Sequence, residues 1–434
     1  MLGSEYVLEA VRSQGTDHCF MVPGGLDDDF MGPMTGTGGL TTVVAAFEGG
    51  AAYMADGYAR ASGGLGLCFG IGGPGVLNMA TALAAARADR SPVLAVSGEV
   101  PTSWEGLGGF QDASGAALDD LDALRPLTGA SLSVSSPAVL PHHLRMVMTH
   151  ALTEREPVHL SVPVDVQRAE IAEPWTPLTD GLVHPRHLDE DALAGLVSVL
   201  ERPDVTNVVL LAGHGVNASG AAEDLVELAE RYDLPVATTL GGKGVFPEDH
   251  PLALGVFGYG GSRWATEAIL DDAVQVLVVL GSGLSQRDTL QWDRRMLPSV
   301  ALAHVDADPL VIGRTWQSEV PIVGDCRTAL RRLRDAGGTA LEHGRAARRA
   351  FLADVLARGP RCYDDANETS DAVPLHPARV VSELRGAFGD DTVLCVDSGA
   401  HRAWFAEYWD ARGIGNHLSL TNLGPMGGAV PLGI

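Results

Sequence analysis

LGLCFGIGGPGVLNMATALAAARADRSPVLAVSGE, residues Leu65–Glu99, decides the fold class of this chain. It opens with an apolar run, Leu65–Gly70, that reads as a strand. A glycine-rich turn, an alanine-rich helical stretch and a second apolar run, Pro92–Ser97, follow. Two strands joined through a helix must run parallel, because only a crossover returns the chain to the same end of the sheet. A glycine turn between a strand and a helix N-terminus is also where α/β proteins bind phosphates or polar cofactor groups.

Upstream stands FEGGAAYMADGYAR, Phe47–Arg60, in which Glu48 follows the apolar run Val43–Phe47. The helix dipole favours a glutamate in a first turn, and a solvated helix start would account for Glu48 on local pattern alone. Its nearness to the glycine turn argues for a role in a site.

The alternation continues outward. Further candidate strands are His18–Val22, Val158–Pro163, Asn207–Leu211, Pro235–Thr238, Val274–Leu280, Ala301–Asp306 and Thr392–Val396. Several are short continuous apolar runs, as parallel strands buried on both faces require. Helices rich in Ala, Leu and Glu separate them, so the class is α/β with parallel sheets. Two proline-bearing stretches of little periodicity, Glu170–Arg186 (with Pro174, Pro177 and Pro185) and Gly359–Pro377, divide the chain into roughly 1–170, 185–340 and 365–434. The first two pieces can each hold an α/β domain. The third starts like one and is too short to complete its core.

Composition narrows the function. The 434 residues are 46% hydrophobic and 20% charged, as in soluble globular proteins. A formal net charge of −25, from 55 acidic and 30 basic residues, repels nucleic acid and anionic membranes. The opening MLGSEYVLEAVRSQG lacks the basic flank and apolar core of a signal peptide, and no apolar run reaches membrane-spanning length. Cys19, Cys68 and Cys395 lie in strand-like runs. Buried free thiols and a cytoplasmic location are therefore expected, and no Cys/His set has zinc spacing.

Taken together, the motifs resemble the thiamine-diphosphate enzymes of the acetolactate synthase type. The resemblance covers essentially the whole chain. VPGG (Val22–Gly25), FEGGAAYMADGYAR, GGPGVLN (Gly72–Asn78) and GGFQD (Gly108–Asp112) match the family's pyrimidine-binding domain in order and spacing. LAGHGV (Leu211–Val216), TTLGGKGVFPEDHPLALG (Thr238–Gly255) and HVDADPLVIG (His304–Gly313) look like its central domain. CVDSGAHRAW (Cys395–Trp404) and NLGPMGG (Asn422–Gly428) look like the start of its diphosphate-binding domain.

The resemblance implies thiamine diphosphate as cofactor and assigns residues to it. The glutamate matching Glu48 hydrogen-bonds a ring nitrogen of the aminopyrimidine, and Gln111 matches a glutamine lining the reaction pocket. Pro23, Gly24, Pro74 and Asn78 fall in the pyrimidine-side loops, although helix capping would explain Asn78 equally well. Ser398, Gly399 and His401 match the loop facing the diphosphate. Gly424 and Met426 match the segment that props the cofactor in its bent shape. The implied activity is decarboxylation of a 2-oxo acid, pyruvate first among them, with transfer of the acyl unit to a carbonyl acceptor. The alternatives are a simple 2-oxo-acid decarboxylase and a non-catalytic scaffold subunit. In the family the site lies between subunits, which implies a homodimer or tetramer.

Departures qualify this. The family's Gly-Asp-Gly motif and following Asn, which hold Mg²⁺, have no match here. Mg²⁺ ligands are therefore expected outside this chain, with a small subunit or further segment completing the diphosphate domain. Ala400 stands where the family usually has Gln. Of an FAD-associated string only Arg287 and Asp288 survive, in GSGLSQRDTLQW (Gly281–Trp292), so FAD is not expected. Asp27, Asp28 and Asp29 follow the VPGG turn, either as a solvated helix start or with one carboxylate facing the substrate entrance.

Overall fold

The computed structural model describes residues 1–35, 39–184 and 186–434. It comprises two compact units, Met1–Pro185 with Leu420–Ile434, and Arg186–Ser419. Pro185 itself lies outside the described residues.

The first unit is built on strands β1 (His18–Met21), β2 (Thr41–Val44), β3 (Gly66–Ile71), β4 (Val93–Glu99), β5 (Ala130–Ser133) and β6 (Val158–Pro163). They form a six-stranded sheet in the order β2-β1-β3-β4-β6-β5, with every pairing parallel. β4 and β6 are buried along their whole length, because helices cover both faces of a sheet made by crossovers. The helix Pro74–Ala88 makes the crossover from β3 to β4. It begins at Gly73, whose φ of +69° only glycine adopts freely, and carries Pro74 where a missing N–H costs nothing.

The second unit holds β7 (Val208–Ala212), β8 (Val236–Thr238), β9 (Ala253–Val256), β10 (Val276–Leu280), β11 (Ala301–Asp306) and β12 (Val320–Val323), in the order β12-β11-β10-β7-β8-β9, again all parallel. Alternate residues feed two cores. Leu210, Val276 and Val278 pack on one face, and Val209, Leu211, Leu277 and Val279 on the other. A small parallel pair, β13 (Leu394–Val396) and β14 (His417–Ser419), completes the described strands.

The proline-bearing stretch after residue 170 is more than a linker. Ile171, Leu178 and Val183 are buried in the first unit's core, and Trp175 packs against it. Likewise Cys362, from the second such stretch, is buried with Ala378, Val381, Tyr408 and Trp409. Cys19 and Cys68 are buried free thiols, whereas Cys395 is only half-buried. Among the described residues no helix is long and apolar enough to cross a membrane.

Candidate functional site

In the first unit, the turns after β1 and β3 lie side by side at the carboxyl edge of the sheet, because their strands are neighbours. A Cβ on Gly24 would stand 2.2 Å from Ile71 Cγ2, so the VPGG turn packs directly on the end of β3. Pro23 is exposed beside it.

Glu48 is the first residue of the helix Glu48–Ser62 and is half-buried. Asn78 Nδ2 donates to Glu48 Oε2 at 2.9 Å. Asn78 lies within the helix Pro74–Ala88, and its side chain serves Glu48 rather than a cap. The two helix starts approach closely at Gly49, where a Cβ would meet Asn78 O at 2.9 Å and the Phe47 ring at 2.6 Å. Gly50, by contrast, has nothing within 4 Å of its notional Cβ. The absence of a Cβ on Gly70 leaves room next to Glu48, whose Cγ would be 3.4 Å from one. Val44, Phe47 and Leu77, adjoining these elements in sequence, are exposed apolar side chains.

Gln111 sits in the loop after β4 with φ +58°, half-buried. Two carboxyls that sequence reasoning missed hold this loop. Glu99 Oε1 accepts from Val100 N at 2.8 Å and from Ala113 N at 3.2 Å. Asp120 Oδ2 accepts from Gly73 N at 2.9 Å, tying the far end of the loop to the glycine turn. Both are almost fully buried. Desolvation pushes Glu99 up to about 7 and Asp120 up to about 6, against the pull of their backbone hydrogen bonds. The available signal was Glu99 itself, a carboxylate ending the apolar run VLAVSGE.

The three aspartates after VPGG have separate fates. Asp28 is exposed, and Asp29 pairs with Arg168 at 2.8 Å. Asp27 is 0% exposed, so neither a solvated helix start nor a substrate entrance describes it. Its Oδ1 accepts from Gly98 N at 2.7 Å, its Oδ2 has no partner among the described residues, and burial pushes it up to about 7. The close approach is possible because residue 98 is glycine: a Cβ there would be 2.0 Å from Leu26 O.

The stretch Leu420–Ile434 also belongs to the first unit. Asp89 anchors it, accepting from Thr421 N, Thr421 Oγ1, Asn422 N and Asn422 Nδ2 at 2.7–3.0 Å. Gly57 then lets Leu432 pack on the helix Glu48–Ser62. Gly424 has φ +73°, and Met426 is 83% exposed. In the second unit, Ser398, Gly399 and His401 follow β13 at the start of the helix Ala400–Tyr408. The Ser398 hydroxyl oxygen is buried without a partner among the described residues, and a Cβ on Gly399 would meet the His401 ring at 2.5 Å.

Comparison with known proteins decides the family. The thiamine pyrophosphate enzymes match at two places: their N-terminal TPP binding domain over residues 1–119 and their central domain over 199–333. A probable acetolactate synthase large subunit of Methanocaldococcus jannaschii is 34% identical over 100% of this chain and 73% of its own length. The chain belongs to the thiamine pyrophosphate enzymes of the acetolactate synthase type. An acetolactate synthase of Arthrospira platensis is 30% identical over 100% of this chain and 74% of its own. The acetolactate synthase large subunit of Corynebacterium glutamicum is 32% identical over 99% and 67%.

The residues present fit the family's cofactor. A half-buried carboxylate, oriented by an amide and adjoined by exposed apolar side chains, suits a polar ring nitrogen on a flat heteroaromatic ring. An orphaned hydroxyl at a helix start suits a phosphate oxygen. Among the described residues no group of three or more His, Cys, Asp and Glu could hold a metal ion.

Proposed function

We propose that this chain takes part in thiamine-diphosphate-dependent decarboxylation of a 2-oxo acid, pyruvate first among them, and transfers the acyl unit to a carbonyl acceptor. The observation that carries this reading is the Glu48–Asn78 pair beside the glycine turn, in a chain whose relatives are named acetolactate synthases.

Bound thiamine diphosphate supplies a nucleophilic carbon and an electron sink. The chain's own residues orient and polarise it. Asn78 holds Glu48 Oε2, leaving Oε1 to share a proton with a pyrimidine nitrogen. Pro23, Gly24 and Pro74 shape the pyrimidine side, and Gln111 faces the reacting carbons. Ser398, Gly399 and His401 receive the diphosphate, and Gly424 and Met426 support the cofactor's bend. In this reading residues 1–170, 185–340 and 365–434 are the pyrimidine, central and diphosphate portions of the enzyme.

Mg²⁺ belongs to the proposal, with ligands on polypeptide outside these residues. The helix Pro377–Ala387 supports that part of the reading. It exposes Val380 and Leu384 on one stripe, with Val373, Leu375, Phe388 and Val393 also exposed. These are side chains that a small subunit or further segment completing the diphosphate portion of a cytoplasmic homodimer or tetramer would cover. FAD is not part of this proposal; Arg287 stacks on Tyr259 at 4.3 Å and Asp288 Oδ2 accepts from Ser285 Oγ at 2.7 Å.

Product analysis with pyruvate, Mg²⁺ and thiamine diphosphate, with and without an added aldehyde, tests the activity. A ligated hydroxyketone product supports acyl transfer. Free acetaldehyde alone supports a simple decarboxylase. Failure of the complete assembly to bind the cofactor supports a scaffold.

A further inference from the structure

Three buried carboxyls cross-brace the loops at the carboxyl edge of the first sheet. Asp27 joins the turn after β1 to Gly98 at the end of β4. Asp120 joins the helix Asp120–Leu124 to the glycine turn at Gly73. Glu99 stands between them and holds two points of one loop, Val100 where the loop leaves β4 and Ala113 just past Gln111. The same carboxyl abuts the glycine turn, since a Cβ on Gly72 would lie 2.8 Å from Glu99 Oε2. Ala113 in turn touches that turn, its Cβ 3.4 Å from one built on Gly73.

We propose that Glu99 is a positioning residue for Gln111. By fixing Val100 and Ala113 with one buried carboxyl, it sets the start and end of a loop whose Gln111 must hold a left-handed backbone. Non-glycine residues adopt that conformation only where their surroundings impose it. The inference rests on the reading of Gln111 as a pocket residue.

The protonated carboxyl suits this place. Burial raises Glu99, and the neighbouring charges of Asp120 and Asp112 act in the same direction. The closed loop therefore holds a proton that an opened, solvated loop releases. Closure is favoured at low pH and weakens as pH rises through the raised value of Glu99. A glutamine keeps the acceptor oxygen and cannot ionise.

Hydrogen–deuterium exchange of residues 105–120 in the full chain, corrected for intrinsic rates, reads loop closure without any turnover. At about pH 6 and about pH 8.5, on either side of the raised value, wild-type protection should fall several-fold with rising pH. Glu99→Gln, in which Asp120 and Asp27 still titrate, should lose several-fold less protection than wild type over this step, and Glu99→Ala should exchange at least tenfold faster at both. Wild type and Glu99→Gln responding alike to pH would overturn the proposal, and this comparison stands even if Glu99→Ala does not fold. An alanine variant that folds and exchanges like wild type would overturn it as well. The kcat of Gln111→Ala in the complete assembly tests the pocket reading separately.

Discussion

Asn78 Nδ2 donates to Glu48 Oε2 at 2.9 Å, across the gap between two helix starts. Among the described residues the amide bonds only this carboxylate, so its effect on Glu48 is one of aim. Asn78→Ala should lower turnover roughly 10–100-fold, the usual cost of misplacing a reacting group by about an ångström. Its far-ultraviolet circular dichroism and Tm should match wild type within about a degree, because Asn78 is exposed. Asn78→Asp, which sets a second carboxylate against Glu48, should lose more. Steady-state kinetics in the complete assembly would check both.

Asp27 gives a pH-dependent stability prediction. Its folded pKa is pushed up to about 7, mainly by burial, while an unfolded aspartate titrates near about 3.9. The folded state therefore binds the proton more tightly. The stabilisation is complete below the unfolded value and is lost as pH rises from about 4 through about 7. Asp27→Asn should gain Tm relative to wild type as pH rises, by about 5 °C between about pH 5 and about pH 8.5. Scanning calorimetry of both proteins across this range checks it, and an unchanged difference would contradict the assignment.

Asp89 is the clip for the segment carrying Gly424 and Met426. It is buried, receives the Thr421 and Asn422 donors, and pairs with Arg60, which also holds Asp56 at 2.7 Å. Asp89→Ala should cost roughly 2–3 kcal/mol, as expected when several charge-assisted bonds are lost together. Limited proteolysis should then cut within residues 420–434 first.

A buried ion pair braces the second unit. Lys243 and Glu248 are bonded to each other at 0% and 2% side-chain exposure, and Lys243 also donates to Ala406 O at 3.1 Å. Glu248 Oε2 accepts from Ala411 N at 2.8 Å. These bonds link the TTLGGKGVFPEDHPLALG stretch to the region around the helix Ala400–Tyr408. Removing Lys243 leaves the buried Glu248 carboxylate with only Arg361, 3.9 Å away, as a cationic partner, so Lys243→Met should cost roughly 2–4 kcal/mol. Urea unfolding followed by tryptophan fluorescence and circular dichroism would report it.

What was legible in the sequence follows a physical pattern. Every strand read from it is present: β1, β3, β4, β6, β7, β8, β10, β11 and β13. The six-stranded sheets' missed strands, β2, β5, β9 and β12, are all edges. Edge strands such as β2, with its partly exposed TTVV, need no continuous apolar run, so they leave little pattern. Motif order singled out Glu48 and Asn78 as candidates, but their hydrogen bond depends on how two crossovers set their helices. Glu99, Asp120 and Asp27 were missed or misjudged for the same reason. A carboxylate's burial is fixed by loops packed over it, and local pattern cannot show that. Asp27 shows it most clearly: one of three consecutive aspartates is enclosed because Gly98 lets Leu26 approach.

The central claim is that Glu48 is the proton-sharing carboxylate of a thiamine-diphosphate site. The most direct test is 2-oxo-acid consumption by wild type and Glu48→Gln, each in the complete assembly with Mg²⁺ and saturating thiamine diphosphate. The account predicts pyruvate consumption by wild type and its loss, by at least a hundredfold or about 2.7 kcal/mol, in a folded Glu48→Gln protein. Consumption by Glu48→Gln at the wild-type rate would contradict it.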